Sequence, residues 1–455
     1  MMRMTLVFLL LLPVLVRANP DEATLKRGEY LAIAGDCSAC HRNPDNGNPF
    51  SGGYRISSPL GDIIATNISP SRLNGIGRYS LSDFRRVMRE GRRPDGGYLY
   101  PAMPYTAFAS MTDADIDALY NYLIYGVPAE DHRVPETQLP FPFSVRSMMS
   151  VWNALFLSQE ALPAGSPDQI STTRGEYLVK TLGHCGSCHS PRNLMMAEKS
   201  GSFLRGGEVG SWNAPDLTQA HLYDWSEQAL TTYLKTGSLP GKAIAAGEMG
   251  TAVENSFSRL TDNDRHSIAR YLLTLGEAPA KPQALSAPDK FNVVSVESGP
   301  AATLEDAISG NHLNGAQLYN AACASCHGAE GEGTHDNPQS FPRLTGSSAV
   351  IAADPANMIM TVAEGVNRTT EAGHAFMPAF AHQMSRGELT RLLDYVSTRF
   401  GKPDQSVTEA QVEKVLLQPK NNPWLQRAPW IVLCLLVLLL ICLLLKQYRA
   451  KKMNR

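Results

Sequence analysis

The chain has 455 residues, 43% of them apolar and 18% charged, with a formal net charge of −2. That composition excludes a disordered or collagen-like chain, and at roughly 150 residues per domain the length allows about three globular units. Setting aside Arg3, Arg17 and five basic residues at the C-terminus leaves 34 Lys and Arg against 43 Asp and Glu, a body of charge −9 that is unsuited to nucleic acid.

Residues 1–18 read as a signal peptide. Arg3 precedes an apolar run from Thr5 to Val16, and Val16-Arg17-Ala18 has the small-residue pattern of a cleavage site. The run is too short to span a bilayer. At the other end Trp430 to Leu445 is sixteen residues without a charge, followed by Lys446, Arg449, Lys451, Lys452 and Arg455. The stretch 429–446 reads as a transmembrane anchor at the lower end of the spanning range, and 447–455 as a basic tail on the cytoplasmic side. The expectation is a body on the periplasmic side of the bacterial inner membrane, held by a C-terminal single-pass anchor.

Six of the eight cysteines fall in three copies of C-x-x-C-H: Cys37, Cys40 and His41; Cys185, Cys188 and His189; Cys323, Cys326 and His327. With this composition about 0.003 such matches are expected by chance. The pattern is that of c-type haem attachment: two thiols add across the haem vinyl groups, and the adjacent His gives an imidazole to the iron from the same turn of chain. The expectation is three covalently bound haems c. Structural zinc is the competing reading; it needs a fourth ligand near each motif and more usually pairs one C-x-x-C with another. A disulfide framework gives no reason for the three histidines. Cys434 and Cys442 lie in the apolar C-terminal stretch as filler.

The motifs recur at spacings of 148 and 138 residues, and features around them recur as well. Before them stand Arg27-Gly28-Glu29-Tyr30-Leu31, Arg174-Gly175-Glu176-Tyr177-Leu178 and Gly315-Ala316-Gln317-Leu318-Tyr319, each a short helix leading into the motif. After them Thr112 precedes Tyr122, Thr261 precedes Tyr271 and Ser385 precedes Tyr395, each by ten residues, as an N-cap opening a helix with an inward aromatic does. Little reads as strand. The predicted fold class is all-α: three tandem class I-like cytochrome c domains plus a C-terminal transmembrane helix. The domains are expected at 19–128, 174–276 and 309–400. A packed, proline-containing connector covers 129–173, an extended linker 277–308, and a further linker 401–428.

A thioether on the far side of each iron closes it to substrates and favours the reduced state. Met103, Met249 and Met377 follow His41, His189 and His327 by 62, 60 and 50 residues, all ahead of the last helix of a unit. They are the expected sixth ligands; Met111, Met195 and Met384 do not recur in this way. His374 is a competing ligand beside Met377, and His184 reads as a residue at the haem edge. Pro342 either offers its carbonyl to the second ring nitrogen of His327 or is an ordinary loop proline. Asn67 and Asn213 occupy corresponding loops, lining the haems or forming turns.

The run Arg27 to His41, the Ala65 to Pro70 loop, Leu99 to Tyr105, Phe141-Pro142-Phe143 with Trp152-Asn153, Leu182 to Arg192 and the third motif resemble the triheme cytochrome c subunits of bacterial membrane-bound dehydrogenases. These are the alcohol, gluconate, sorbitol and fructose enzymes, and the resemblance covers nearly the whole mature chain. It implies a non-catalytic electron-transfer subunit of an oxidoreductase complex acting on CH-OH donors. Such a subunit takes electrons from a dehydrogenase subunit that bears flavin, or alternatively pyrroloquinoline quinone or molybdenum cofactor, and passes them to ubiquinone. A small third subunit is a further expected partner, and the gluconate 2-dehydrogenase type is the first choice. Two alternatives stand beside it. A cytochrome subunit of a terminal oxidase also carries haems c and an anchor, while a haem peroxidase needs one open iron, which three recurring Met argue against. No G-x-G-x-x-G fingerprint for hydride chemistry is present.

Overall fold

The computed structural model describes residues 20–278, 313–334 and 341–417, together with 427, 430, 431 and 434. Its repeating element is a pair of crossed helices. The opening helix Glu22–Ala34 crosses Asp113–Asn121, Thr172–Tyr177 crosses Asp262–Leu272, and Gly315–Ala322 crosses Arg386–Val396. A glycine makes each crossing close. A Cβ on Gly28 would lie 2.1 Å from the Ala118 carbonyl oxygen, one on Gly175 1.9 Å from that of Ser267, and one on Gly315 2.3 Å from that of Arg391. In each case the next neighbour is Tyr122, Tyr271 or Tyr395, which explains why glycine and tyrosine recur together in the sequence. The closing helices start where the spacing predicts: Thr112, Thr261 and Ser385 accept from the backbone N–H of Asp115, Asp264 and Glu388 at 3.2, 3.2 and 3.3 Å.

The first two units interlock reciprocally. Arg27 donates to Asp115 in its own unit, and Arg174 to Asp264 in its own. Tyr177 then reaches back to donate to Asp115 at 2.6 Å, while Tyr30 reaches forward to donate to Asp264 at 2.7 Å. Each tyrosine oxygen also accepts the backbone N–H of the other unit's N-cap residue, Thr112 or Thr261. One carboxylate at the third helical position thus joins the helix start, the crossing helix and the neighbouring unit. Both units share one hydrophobic core, whereas the third has its own around Leu318, Tyr319, Ile359, Leu392 and Leu393. Between the first two units the connector seats Trp152, whose indole donates to the Met195 carbonyl at 2.9 Å. The neighbouring Asn153 accepts from the Tyr105 hydroxyl at 2.7 Å. The third unit joins the second through a reciprocal pair, Asn213 N–H to the Asn357 side chain and Asn357 back to the Asn213 carbonyl, both at 2.8 Å.

Two expectations need correction. The fold is not all-α: among the described residues four two-stranded antiparallel hairpins join the helices. They are β1 Arg55–Ser58 with β2 Gly61–Ile64, β3 Arg205–Val209 with β4 Trp212–Asp216, β5 Ser238–Leu239 with β6 Ala243–Ile244, and β7 Val366–Thr370 with β8 Gly373–Met377. Strands of two to five residues are too short for alternation to register, and turn glycines such as Gly61, Gly210, Gly241 and Gly373 at positive φ close them. The C-terminal transmembrane helix, and the single-pass attachment built on it, are not supported. Among the described residues no helix is long and apolar enough to cross a membrane. Apart from residues 430, 431 and 434, the span 429–446 lies outside the described residues, as do the signal peptide and most of 277–308. Sixteen residues would as a helix reach about 24 Å, short of a hydrocarbon core of about 30 Å.

Candidate haem-attachment sites

Each motif folds as one short helical turn at the end of an opening helix: Cys37–His41, Gly186–His189 and Ala324–His327. In the first two units the chain reverses into this turn through a residue at positive φ directly before the first cysteine, Asp36 at 49° and His184 at 36°. The six motif cysteines are unpaired thiols. Burial pushes Cys37, Cys185 and Cys323 up to about 12 and Cys188 to about 11, so they are neutral rather than thiolate nucleophiles. Burial also raises Cys40 to about 12, and Asp36, Glu248 and, across the unit boundary, Cys188 act in the same direction.

The histidines share a more specific geometry. Nδ1 of His41 lies 2.6 Å from the Thr66 carbonyl oxygen, that of His189 2.7 Å from Pro215, and that of His327 2.8 Å from Pro342. With the Nδ1 proton donated to a carbonyl, the Nε2 lone pair is left for a metal and the ring is held in place. Burial lowers all three pKa values below the ordinary range and keeps the imidazoles neutral, as ligation requires. The proline reading of Pro342 is therefore the carbonyl one. Nothing in the sequence marks Thr66 or Pro215 for this role, because every residue carries a carbonyl. Their delivery is a task of the hairpins: Thr66 follows β2 and Pro215 lies in β4. A positive-φ glycine packs on the carbonyl segment in each unit, Gly52 against Thr66, Gly206 against Pro215 and Gly333 against Pro342.

Met103 and Cys37 pack half-buried on the same core, as do Met249 and Cys185; Met377 and Cys323 share the core of the third unit. Their backbones differ, a loop at Met103, the first turn of Gly247–Asn255 at Met249, and the end of β8 at Met377, opposite Val366. Met111 and Met384 are core residues, and Met195 is half-exposed. His374 is exposed and alternates with Met377 along β8, so it faces the other side, with Nε2 2.8 Å from Asn367 Oδ1. His184 stacks edge-on against Phe108 of the first unit, its ring centre 5.6 Å away, and is a unit-boundary residue. Asn67 is a turn former whose Oδ1 accepts from Ser69 N–H at 2.9 Å; its counterpart is Asp216, which accepts from Thr218 N–H at 2.6 Å, and not Asn213.

These donors fit a covalently held haem: two free thiols and a neutral, oriented imidazole within one turn, three times over. Among the described residues no three His, Cys, Asp or Glu side chains gather as a metal cage, which a structural zinc would require. Comparison with known proteins points the same way. The chain is 38% identical to the fructose dehydrogenase cytochrome subunit of Gluconobacter japonicus, over 90% of this chain and 87% of that one. The chain belongs to the family of dehydrogenase cytochrome c subunits. It is also 34% identical to the cytochrome c subunit of a quinone alcohol dehydrogenase from Gluconacetobacter polyoxogenes, with 87% and 85% coverage. For the gluconate 2-dehydrogenase cytochrome c subunit of Pantoea cypripedii the figures are 33%, 86% and 89%. Residues 310–396 match the family described as cytochrome c oxidase, cbb3-type, subunit III. That match is confined to the third unit, whereas the dehydrogenase subunits align along most of the chain, so the oxidase reading loses ground.

Proposed function

We propose that the chain carries three haems c and is the non-catalytic electron-transfer subunit of a dehydrogenase complex, receiving electrons from a flavin-bearing partner and delivering them to ubiquinone. The observation that supports this most directly is the threefold recurrence of a histidine whose Nδ1 is fixed by a backbone carbonyl next to two free thiols. A bound haem c supplies a one-electron iron couple. The chain's own residues do the rest. Cys37 and Cys40, Cys185 and Cys188, and Cys323 and Cys326 would hold the groups covalently. His41, His189 and His327 would ligate from one side and Met103, Met249 and Met377 from the other. Ligation of this kind would leave no iron open to substrate, so oxidation of the donor would belong to the partner.

The first donor to test is gluconate, with fructose and an alcohol beside it because relatives named for those substrates align equally far. A pyridine haemochrome titration against protein mass should give three haems, all surviving acid-acetone extraction; two, or any extractable haem, would overturn the count. Met103→Ala, Met249→Ala and Met377→Ala should each lower one midpoint potential and weaken the sulfur-to-iron absorption, because a soft thioether favours ferrous iron. Three unchanged titrations would overturn the axial assignment. The protein that co-purifies after gentle detergent extraction, with its cofactor identified by absorbance, decides between flavin, pyrroloquinoline quinone and molybdenum cofactor.

A further inference from the structure

Three arginines are almost wholly buried among the described residues: Arg174, Arg265 and Arg368. The first two meet carboxylates, those of Asp264 and Asp262. Arg368 is the most buried of the three, 2% exposed, and among the described residues it forms no ion pair; the carboxylate that acts on its charge is Glu254, which accepts the backbone N–H of the neighbouring Thr369 at 3.2 Å. The Nη1 of Arg368 donates to the Ala245 carbonyl, and its Nε is buried with no hydrogen-bond partner. A guanidinium out of water with one neutral acceptor is a costly arrangement, and such groups persist where a counter-ion completes them.

The position of Arg368 indicates which anion. In the β7–β8 ladder Arg368 pairs with Ala375 and Val366 with Met377, so Arg368 and Met377 point to the same face of the hairpin. The guanidinium then crosses from the third unit into the second. There a Cβ on Gly237 would lie 2.5 Å from its Cζ, so glycine makes room for it, and Ala245 stands four residues before Met249. The side chain therefore sits between the two segments that carry the candidate sixth ligands of units two and three. It also lines an opening of about 240 Å³, whose walls include Gly247 of the second unit and Val366 of the third. Glu248 and Glu364 border the same opening.

We propose that Arg368 is the counter-ion of a haem propionate at the junction of the second and third units. This rests on the reading that both units hold haem c. Arg368 acts as a positioning residue and electrostatic partner: its charge offsets a carboxylate at the cofactor edge and disfavours the ferric state, raising that haem's potential. The propionate belongs to the haem of unit two or of unit three, and the test separates them.

In the full chain, loaded with haem and kept in its complex, Arg368→Gln should lower the midpoint potential of one haem. Repeating the change in Met249→Ala and Met377→Ala backgrounds, each of which marks one haem, identifies the unit. Arg368→Lys keeps the charge but loses the planar fork, so the potential should stay near that of the unmodified protein. The propionate-bending band in resonance Raman should shift in both variants, a readout that a merely structural role would leave in place. If Arg368→Gln fails to assemble, the Raman shift of Arg368→Lys carries the test. Three haems by titration with unmoved potentials and an unmoved propionate band would overturn this proposal and leave the three-haem reading intact. Fewer than three haems in the unmodified chain would overturn the reading beneath it.

Discussion

Asp115 and Asp264 occupy equivalent positions, yet their removal should not be equivalent. Each is buried, each accepts from an arginine of its own unit and each accepts a tyrosine from the other unit. The arginines differ: Arg27 is 54% exposed and Arg174 only 5%. In Asp264→Ala the Arg174 charge is left buried without a carboxylate, with only the Ala164 carbonyl at 3.3 Å, which costs about 3–5 kcal/mol. In Asp115→Ala the Arg27 head turns into water, so what is lost is chiefly the charge-assisted hydrogen bonds, about 1.5–3 kcal/mol. The Tyr177 hydroxyl still accepts from the Thr112 N–H. The two variants should therefore differ by about 1–2 kcal/mol in the same direction, read as the shift in urea midpoint followed by near-UV circular dichroism at unchanged slope. An Asp115→Ala variant as damaging as Asp264→Ala, or more so, would refute the argument that solvent access to the arginine sets the cost.

Burial, helped by the Asp264 carboxylate, pushes Tyr30 up to about 12 from an ordinary 10. Its contribution is therefore fully present below pH 10 and lost as pH rises through about 12, so Tyr30→Phe should flatten the alkaline fall in stability over that window, read from denaturation midpoints at stepped pH. Gly175→Ala places a methyl 1.9 Å from the Ser267 carbonyl oxygen and must part the helix pair; about 1–3 kcal/mol of destabilisation and a lower haem yield per chain are expected. Glu388→Gln should stay within about 1 kcal/mol of the unmodified protein by thermal melting, because a glutamine still completes the cap to Ser385 and removes a charge whose second oxygen is buried without a partner.

What could be read from the sequence follows from what kind of atom does the work. The proposed covalent attachment would fix residue identity and spacing, so all six cysteines and the three histidines stand out. The N-caps and the glycine–tyrosine crossings also show, because a hydroxyl at a helix start and a missing Cβ are properties of particular side chains. The carbonyls that orient the histidines do not show, except where a proline drew attention to residue 342. The Tyr30–Asp264 contact spans 234 residues, and nothing local marks it. Residue type pairs Asn67 with Asn213, but the turn geometry pairs it with Asp216, because the residue that follows the histidine-bound carbonyl is Asn67 in the first unit and Asp216 in the second. The hairpins are not legible in the sequence for a related reason: they are shorter than the window over which a period of two can be distinguished from chance.

The same comparison explains why the third unit stands apart. In units one and two the residue before the crossing glycine is an arginine and the residue two after it a tyrosine, the two donors that converge on Asp115 and Asp264. In unit three those positions are Asn314 and Gln317, and they are occupied with each other: Asn314 caps the helix at the Gln317 N–H, 3.0 Å away, and Gln317 returns to the Asn314 N–H at 2.9 Å. The helix begins there, so no side chain is left to reach Glu388, whose one bonded oxygen accepts from Ser385 alone. A reciprocal clamp of the kind that unites the first two units cannot be built on this face. The third unit is instead attached along its other side, through Asn357, the Val415 carbonyl that accepts from Ser211, and Arg368. Of these ties only Arg368 carries a charge. Beside them Trp212 packs on the core of the third unit and the Thr369 N–H donates to the Glu254 carboxylate at 3.2 Å, so the junction between units two and three combines apolar packing, hydrogen bonds and one buried cation.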